Sequence, residues 1–256
     1  FEPLMVAYLR SIHNRAPLTL VPSEALMDDL RGHGFTNLTR FSRGTDTRMF
    51  SPLKRDPQLR AEWGITDDDA PVSLYVGRMA KEKAIDESIA TFRELKQKDP
   101  RMEMVCVGEG PELQRLKRAY PDVRFVGAKR GEELARYYAS ADLFLFASVT
   151  ETFGNVVTEG LASGLVVLTF DYAAGQLFIN NGHNGFLVPF DQPDAFRQQA
   201  FAALAKRNEW PAIRQAARET AETIPWEHVF QKYLHDLRTV VQAHDERLAE
   251  RQTVQV

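Results

Sequence analysis

The sequence predicts an α/β protein on a doubly wound parallel sheet, and three observations carry that prediction. Apolar runs at 18–21, 38–42, 72–76, 103–107, 123–126, 143–147, 165–170 and 185–188 are strand-like. Amphipathic stretches such as 85–95, 111–119 and 132–141 lie between most of them. Strand and helix in alternation imply a parallel sheet covered on both faces. With 256 residues and 44% hydrophobic content, the chain can bury a full core, and its length allows one large domain or one and a half.

Taken in order, the chain opens with an apolar run of Leu4, Met5, Val6, Tyr8, Leu9 and Ile12. The strand at 18–21 runs into Pro22 and Ser23, and Ser23 is placed to cap a helix. Residues 43–52 are rich in turn formers and close an element before a helix at 56–63, so a boundary falls near 44–55. The strand at 72–76 ends at Gly77, and two cations, Arg78 and Lys83, follow five residues apart. That is the carboxyl edge, where parallel sheets place ligands. A planar guanidinium fork and a movable ammonium suit phosphate oxygens; a solvated basic turn reads the same way. Gly108-Glu109-Gly110-Pro111 invites comparison with a dinucleotide fingerprint, but Leu113 stands where the third glycine belongs. It reads as a tight turn into a proline-started helix.

The most informative stretch is 148–164. An apolar run delivers the chain to a polar loop, and Phe153, Val156, Val157 and Leu161 then recur at helical spacing. Gly154 lets a ligand approach the helix entrance, where free N–H groups and the helix dipole favour an anion. Glu151 lies before that entrance and Glu159 about one turn inside, roughly 10 Å apart by helical rise. They can meet opposite ends of a ligand with a charged middle, and a sugar nucleotide has that shape. Acids incidental to a helix start are the other reading.

Glu151 and Glu159, eight positions apart around Phe153-Gly154, resemble the signature of the family 4 retaining glycosyltransferases of the GT-B fold. The resemblance covers nearly the whole chain. It implies that Glu151 holds the transferred sugar, that the backbone of Phe153, Gly154, Asn155 and Val156 meets sugar and phosphate, and that Glu159 holds the ribose. It implies that Gly77 and Arg78, with Lys83 rather than Lys81, clamp the donor diphosphate. Val126 and Gly127 are similar to the family loop whose backbone receives the nucleobase. Arg43-Gly44-Thr45-Asp46 resembles the family hinge, with Thr45 for the usual valine. On that reading residues 1–44 are the remnant of an N-terminal, acceptor-binding Rossmann-like domain. Residues 45–223 form the Rossmann-like donor domain with six parallel strands, and 224–256 hold a helix that either crosses back or simply packs. Gln176 stands where the family usually has glutamate, which weakens any role for the loop at 171–176.

Charge and composition narrow the class. Lys plus Arg, 32, against Asp plus Glu, 35, gives −3, which argues against a nucleic-acid footprint. The single Cys106 lies in an apolar run, where it reads as core, and suggests a reducing compartment. No apolar run approaches the 18 or so residues of a membrane span, and the start reads as a fragment. The six histidines lack metal-ligand spacing, and Asp67-Asp68-Asp69 precedes a strand, so it reads as a solvated turn rather than a metal motif.

The sequence therefore predicts the donor-binding half of a cytoplasmic glycosyltransferase, needing no metal or other cofactor. The family resemblance implies transfer of a hexose to a glycan or lipid acceptor bound by the N-terminal domain. The wording from Glu151 to Val157, with Phe170 to Ala174, resembles GDP-mannose-dependent α-mannosyltransferases and their UDP-sugar relatives, and implies GDP-mannose as the favoured donor. Glu151, Arg78 and Lys83 are the candidate catalytic residues. The full-length protein is open to peripheral membrane association. A non-catalytic nucleotide-sugar sensor and a nucleotide-sugar epimerase of the same fold share these features.

Overall fold

A computed structural model describes residues 2–67 and 69–253. The contacts divide the chain into two compact units: one is Thr45–Thr223, and the other joins the residues before it to those after it.

In the latter unit, α1 (Glu2–His13) is followed by β1 (Thr19–Val21), α2 (Glu24–Gly32) and β2 (Leu38–Arg40). Strands β1 and β2 pair in parallel, Thr19 opposite Leu38. Ser23 caps α2 by accepting the Leu26 N–H at 3.3 Å. Leu4, Met5 and Tyr8 of α1 are exposed.

The larger unit contains α3 (Pro57–Glu62), β3 (Val72–Val76), α4 (Ile85–Lys98), β4 (Glu103–Val107), α5 (Leu113–Ala119) and β5 (Arg124–Phe125). Then come α6 (Gly131–Ser140), β6 (Leu143–Phe146), α7 (Asn155–Ala162), β7 (Val166–Phe170), α8 (Ala173–Phe178), β8 (Phe186–Val188), α9 (Pro193–Ala205) and α10 (Trp210–Glu222). The chain returns to the first unit as α11 (Trp226–Thr253). There Phe41 and Tyr233 meet at 5.2 Å between ring centroids, and Asp236 accepts a bond from Thr39.

Among the described residues the larger unit forms one six-stranded parallel sheet, ordered β5-β4-β3-β6-β7-β8. Successive residues of β3, β6 and β7 are all buried, so both faces of the sheet are covered. The chain builds outward from β3 in one direction and from β6 in the other. Loops leaving these two neighbours therefore diverge and open a crevice at their carboxyl ends. The boundary segment is held as a cap: Asp56 accepts the N–H groups of Gln58 and Leu59 at 2.8 and 3.2 Å. Cys106 is buried in β4.

The turn after β4 differs from the sequence reading. Helix α5 starts at Leu113 with Glu112 as its N-cap, so Pro111 does not open it. The reason is tertiary: Glu112 N–H bonds Met79 O at 2.9 Å, and Glu109 O accepts Met79 N–H at 2.9 Å, so this segment is laced to the loop after β3. A Cβ on Gly108 (φ +141°) would lie 1.9 Å from Gly77 O, and one on Gly110 (φ +158°) 2.4 Å from Met79 O. No side chain fits between the two loops.

A Gly108→Ala variant is expected to lose about 2 kcal/mol or more, because backbone blocks the new methyl. Gly64→Ala, with φ +82° but open space around it, should lose only the roughly 1–2 kcal/mol of the left-handed backbone. Urea denaturation of both variants checks the ranking; equal losses would remove the close-approach argument.

Candidate functional site

The crevice is bounded by the loop after β3 and the loop after β6. The first leaves β3 at Gly77, passes Arg78, and forms a short 3-10 turn over Lys81–Lys83. Ala84 then adopts φ +45° and α4 begins at Ile85. That reversal aims Lys83 across the crevice, where its Nζ meets Glu151 Oε1 at 2.7 Å and also donates to Thr150 O. Thr150 Oγ1 donates to Glu82 O at 2.7 Å, a second stitch between the loops. Lys81 is exposed, and Arg78 is exposed with its guanidinium 3.3 Å from Glu82 Oε1.

Glu151 is held from three directions. Besides Lys83, Ser148 Oγ donates to the same Oε1 at 2.8 Å, and Tyr172 Oη donates to the Glu151 carbonyl at 2.9 Å. Ser148 is buried, and the pair of Lys83 and Glu151 is largely screened from water. In such surroundings an ion pair is stronger than at the surface.

Helix α7 starts at Asn155, with Gly154 (φ +92°) as its N-cap and no side-chain cap. Phe153 therefore precedes the helix rather than joining it. Its ring is buried 6.0 Å from that of Phe178, and its carbonyl accepts Ala174 N–H at 2.7 Å. The Val157 N–H bonds Gly154 O at 2.9 Å. The N–H groups of Asn155 and Val156 come before that first intrahelical bond and face the orphan-donor condition of any helix start.

Glu159 lies inside α7, and its Oε2 accepts a 3.0 Å bond from Tyr138 Oη. Burial pushes the Glu159 carboxyl above its ordinary range, and the Tyr138 bond opposes that rise. Burial and the neighbouring Glu159 charge push the Tyr138 hydroxyl well up, so it stays a donor. At the edge of the sheet Val126 N–H bonds Cys106 O at 3.1 Å, and Gly127 O accepts Gly108 N–H at 2.9 Å.

The structure thus brings Lys83 and Glu151 into contact and sets Gly77, Arg78 and Gly154 on the same two loops. Glu159 is seated one turn into α7, Asn155 and Val156 open that helix, and Val126 and Gly127 follow β5. Gln176 is exposed on α8. Ser148, Thr150, Tyr138 and Tyr172 are supporting residues that the sequence reading passed over. A signal existed for Tyr138: a tyrosine on the buried face of an amphipathic helix needs a partner for its hydroxyl. Asp68 of the acidic run lies outside the described residues. Among the described residues no group of three or more His, Cys, Asp or Glu side chains is placed to hold a metal.

A crevice at the strand-order reversal, with cations on one loop and a helix start on the other, is where open α/β sheets take their ligands. The chain belongs to the family described as Glycosyl transferases group 1, whose sequence model matches residues 70–206. It is 35% identical over 221 residues to a GDP-mannose-dependent alpha-mannosyltransferase of Mycobacterium tuberculosis, covering 81% of this chain and 57% of that one. It is 37% identical over 182 residues to a protein of the same name from Corynebacterium glutamicum, covering 71% and 42%. The chain spans about half the length of the curated relatives it matches. Among solved structures, a sucrose-phosphate synthase from Thermosynechococcus elongatus superposes with TM-score 0.80 at 23% identity, covering 94% of this chain and 62% of that one. A pneumococcal O-GlcNAc transferase, crystallised with UDP and GlcNAc, gives TM-score 0.74 at 22% identity, covering 91% and 47%. These neighbours share the fold, an α/β parallel sheet of the GT-B glycosyltransferases.

The raised Glu159 pKa gives a signed test. A carboxyl whose folded pKa exceeds its unfolded value favours folding fully only at pH below the unfolded value, and that contribution is lost as pH rises through the folded one. Glu159→Gln, which cannot ionise, should therefore be more stable than the parent at neutral pH. The advantage should shrink as pH falls towards the ordinary glutamate range. Melting temperatures across that range check it; a difference independent of pH would contradict the assignment.

Proposed function

We propose that Thr45–Thr223 is the donor-binding unit of a retaining glycosyltransferase, and that the whole protein transfers a hexose from a nucleotide sugar to a glycan or lipid acceptor. The observation that carries this reading is the Lys83–Glu151 contact across the β3/β6 crevice, braced by Ser148. A cation for the departing diphosphate and an acid for the sugar hydroxyls stand side by side, as transfer at the anomeric carbon requires.

On this reading Arg78, Lys83 and the start of α7 hold the diphosphate, Glu151 the sugar and Glu159 the ribose. The bond from the anomeric carbon to the diphosphate oxygen breaks, the acceptor hydroxyl oxygen bonds that carbon from the same face, and the hydroxyl proton passes to the departing diphosphate oxygen. The developing negative charge falls on the diphosphate, where fixed cations and backbone donors stabilise it without reorganising. Orientation by Glu151 supplies most of the rest. No step is assigned to a metal. GDP-mannose is the favoured donor, since M. tuberculosis and C. glutamicum relatives at 35% and 37% identity are named for it. A cytoplasmic location is part of the proposal.

Arg78→Ala and Lys83→Ala are each expected to weaken nucleoside diphosphate binding by about 1.5–3 kcal/mol, the worth of a charge-assisted bond. Added salt should narrow the gap. Calorimetry against GDP, UDP and their sugar conjugates reads both the loss and the base preference. Unchanged affinity in both folded variants would sink the clamp.

Glu151→Gln separates the two carboxylates. It should spare bare GDP, which has no sugar and no longer competes with a carboxylate for Lys83, and weaken GDP-mannose by about tenfold, near 1.4 kcal/mol. Equal losses for both ligands would overturn the division of labour.

A further inference from the structure

The opposite edge of the same sheet carries a second concentration of chemistry. Asp142 immediately precedes β6. Its Oδ2 accepts Arg60 Nη1 and the Val72 N–H, each at 3.0 Å. Its Oδ1 is shared by two further guanidinium groups, Arg55 at 3.1 Å and Arg214 at 3.2 Å. These three arginines have unequal situations. Arg60 is 2% exposed and also bonds Ser140 O and Ala70 O, so it fastens the sheet edge. Arg55 and Arg214 line a cavity of about 460 Å3, together with Arg207, Arg218, Asp142 and Asp69.

We propose that this cavity is a second binding site, for a small oxyanion of the phosphate class, free or as a monoester, remote from the donor crevice. The charge distribution carries it. One carboxylate oxygen cannot neutralise both Arg55 and Arg214 when its partner oxygen already serves Arg60 and a backbone N–H. Arg218 is matched by Glu222 at 2.6 Å, whereas Arg207 stands 3.6 Å from Asp99, a carboxylate that Arg101 already holds at 2.9 Å, so Arg207 is only partly neutralised. Asp69, exposed at the rim, is the remaining lining carboxylate among the described residues.

Arg55 also donates to Ala139 O and Ala141 O, and Arg214 to Gly164 O at 2.6 Å, but carbonyls bring no counter-charge, so positive charge stays in excess beside this space. A tetrahedral oxyanion offers planar guanidinium groups more oxygens than a single carboxylate does. Burial, helped by the charges of Arg55 and Arg60, pulls the Arg214 pKa below its ordinary value against the pull of Asp142. An arriving anion would relieve that imbalance. A purely structural staple needs no space beside it, yet Arg55 and Arg214 keep about 30% and 27% of their side chains exposed beside this cavity. The space exceeds what one phosphate fills, which leaves room for the organic part of a monoester. The length of β3 separates this edge from the crevice, about 16 Å by strand rise, so the two sites are chemically independent.

The test titrates the chain with inorganic phosphate and, separately, with glycerol 3-phosphate at constant ionic strength. Binding is read by calorimetry and by the Arg214 Nε–Hε resonance. Both probes should move that resonance. Arg55→Gln and Arg207→Gln should weaken the binding read at the Arg214 resonance about tenfold, whereas Arg78→Ala, in the donor crevice, should leave that reading within about twofold. Tighter binding of the monoester assigns its organic part to the cavity, and equal affinities assign free phosphate; either outcome supports the site. An Arg214 resonance that neither probe moves overturns the proposal, as does binding lost in Arg78→Ala and kept in Arg207→Gln. The resonance needs no substitution, so a variant that fails to fold leaves the test standing.

Discussion

The order of the large sheet depends on one residue at its amino edge. Asp142 N–H bonds Val72 O at 2.9 Å, and its carbonyl accepts Val166 N–H at 3.0 Å. Its carboxylate accepts Val72 N–H at 3.0 Å. Three adjoining strands, β3, β6 and β7, are thereby pinned at one level, with Ser73 opposite Leu143 and Leu143 opposite Val166. A slip of one residue would reverse which side chains face each layer. A buried carboxylate is expensive unless paired and hydrogen-bonded, and here Arg60, Arg55 and Arg214 provide the pairing. The register is thus fixed electrostatically as well as by packing.

With the amino ends level, the strand lengths determine where the carboxyl ends fall. Strand β3 stops at Val76 and β6 at Phe146, so their loops leave the sheet side by side and diverge. Lys83 and Glu151 meet there because the 3-10 turn and the left-handed Ala84 reverse one loop while Ser148 and Tyr172 brace the other. In the structure these charges satisfy one another. On the proposed function, a bound diphosphate would draw Lys83 towards itself while the sugar hydroxyls take over on Glu151. The cost of separating a partly buried pair is offset because each group acquires a new polar partner. That exchange distinguishes the proposed donor from bare phosphate, which offers Glu151 nothing but repulsion.

Much of this arrangement was legible in the sequence. The strand positions followed from apolar runs, and their parallel pairing followed from the helices between them. Gly77-Arg78 and the stretch from Glu151 to Gly154 were singled out by residue type and by the family resemblance, and the fold sets them at the carboxyl ends of two strands that are neighbours in the sheet. What escaped were the contacts between segments distant in sequence. Nothing local to Asp142 announces three arginines from α10, α3 and the turn before it. Nothing local to Tyr138 announces Glu159. The Pro111 expectation failed for a related reason: the helix start yielded to two backbone bonds that tie Met79 to Glu109 and Glu112. Local propensity sets the candidates, and tertiary hydrogen bonding chooses among them.

The remaining non-local feature is backbone strain, and its location is informative. Four non-glycine residues have positive φ: Asn37, Ala84, Ala173 and Asp191, among the described residues. Asn37 and Asp191 are of types that tolerate the left-handed region in turns. Ala84 and Ala173 have no polar side chain to compensate the crowding of Cβ, so their surroundings must impose it. Both flank the crevice. Ala84 lies between Lys83 and the buried Ile85, tied by Ala84 N–H to Lys81 O and Glu87 N–H to Ala84 O, each at 3.0 Å. Ala173 lies between Tyr172, which holds the Glu151 carbonyl, and Ala174, which bonds Phe153 O. The strain is therefore stored in the two links that set the positions of Lys83 and Glu151. Relaxing either link would reorient its loop and part the pair. Strained backbone gathered at such a place is what a preorganised charge site requires.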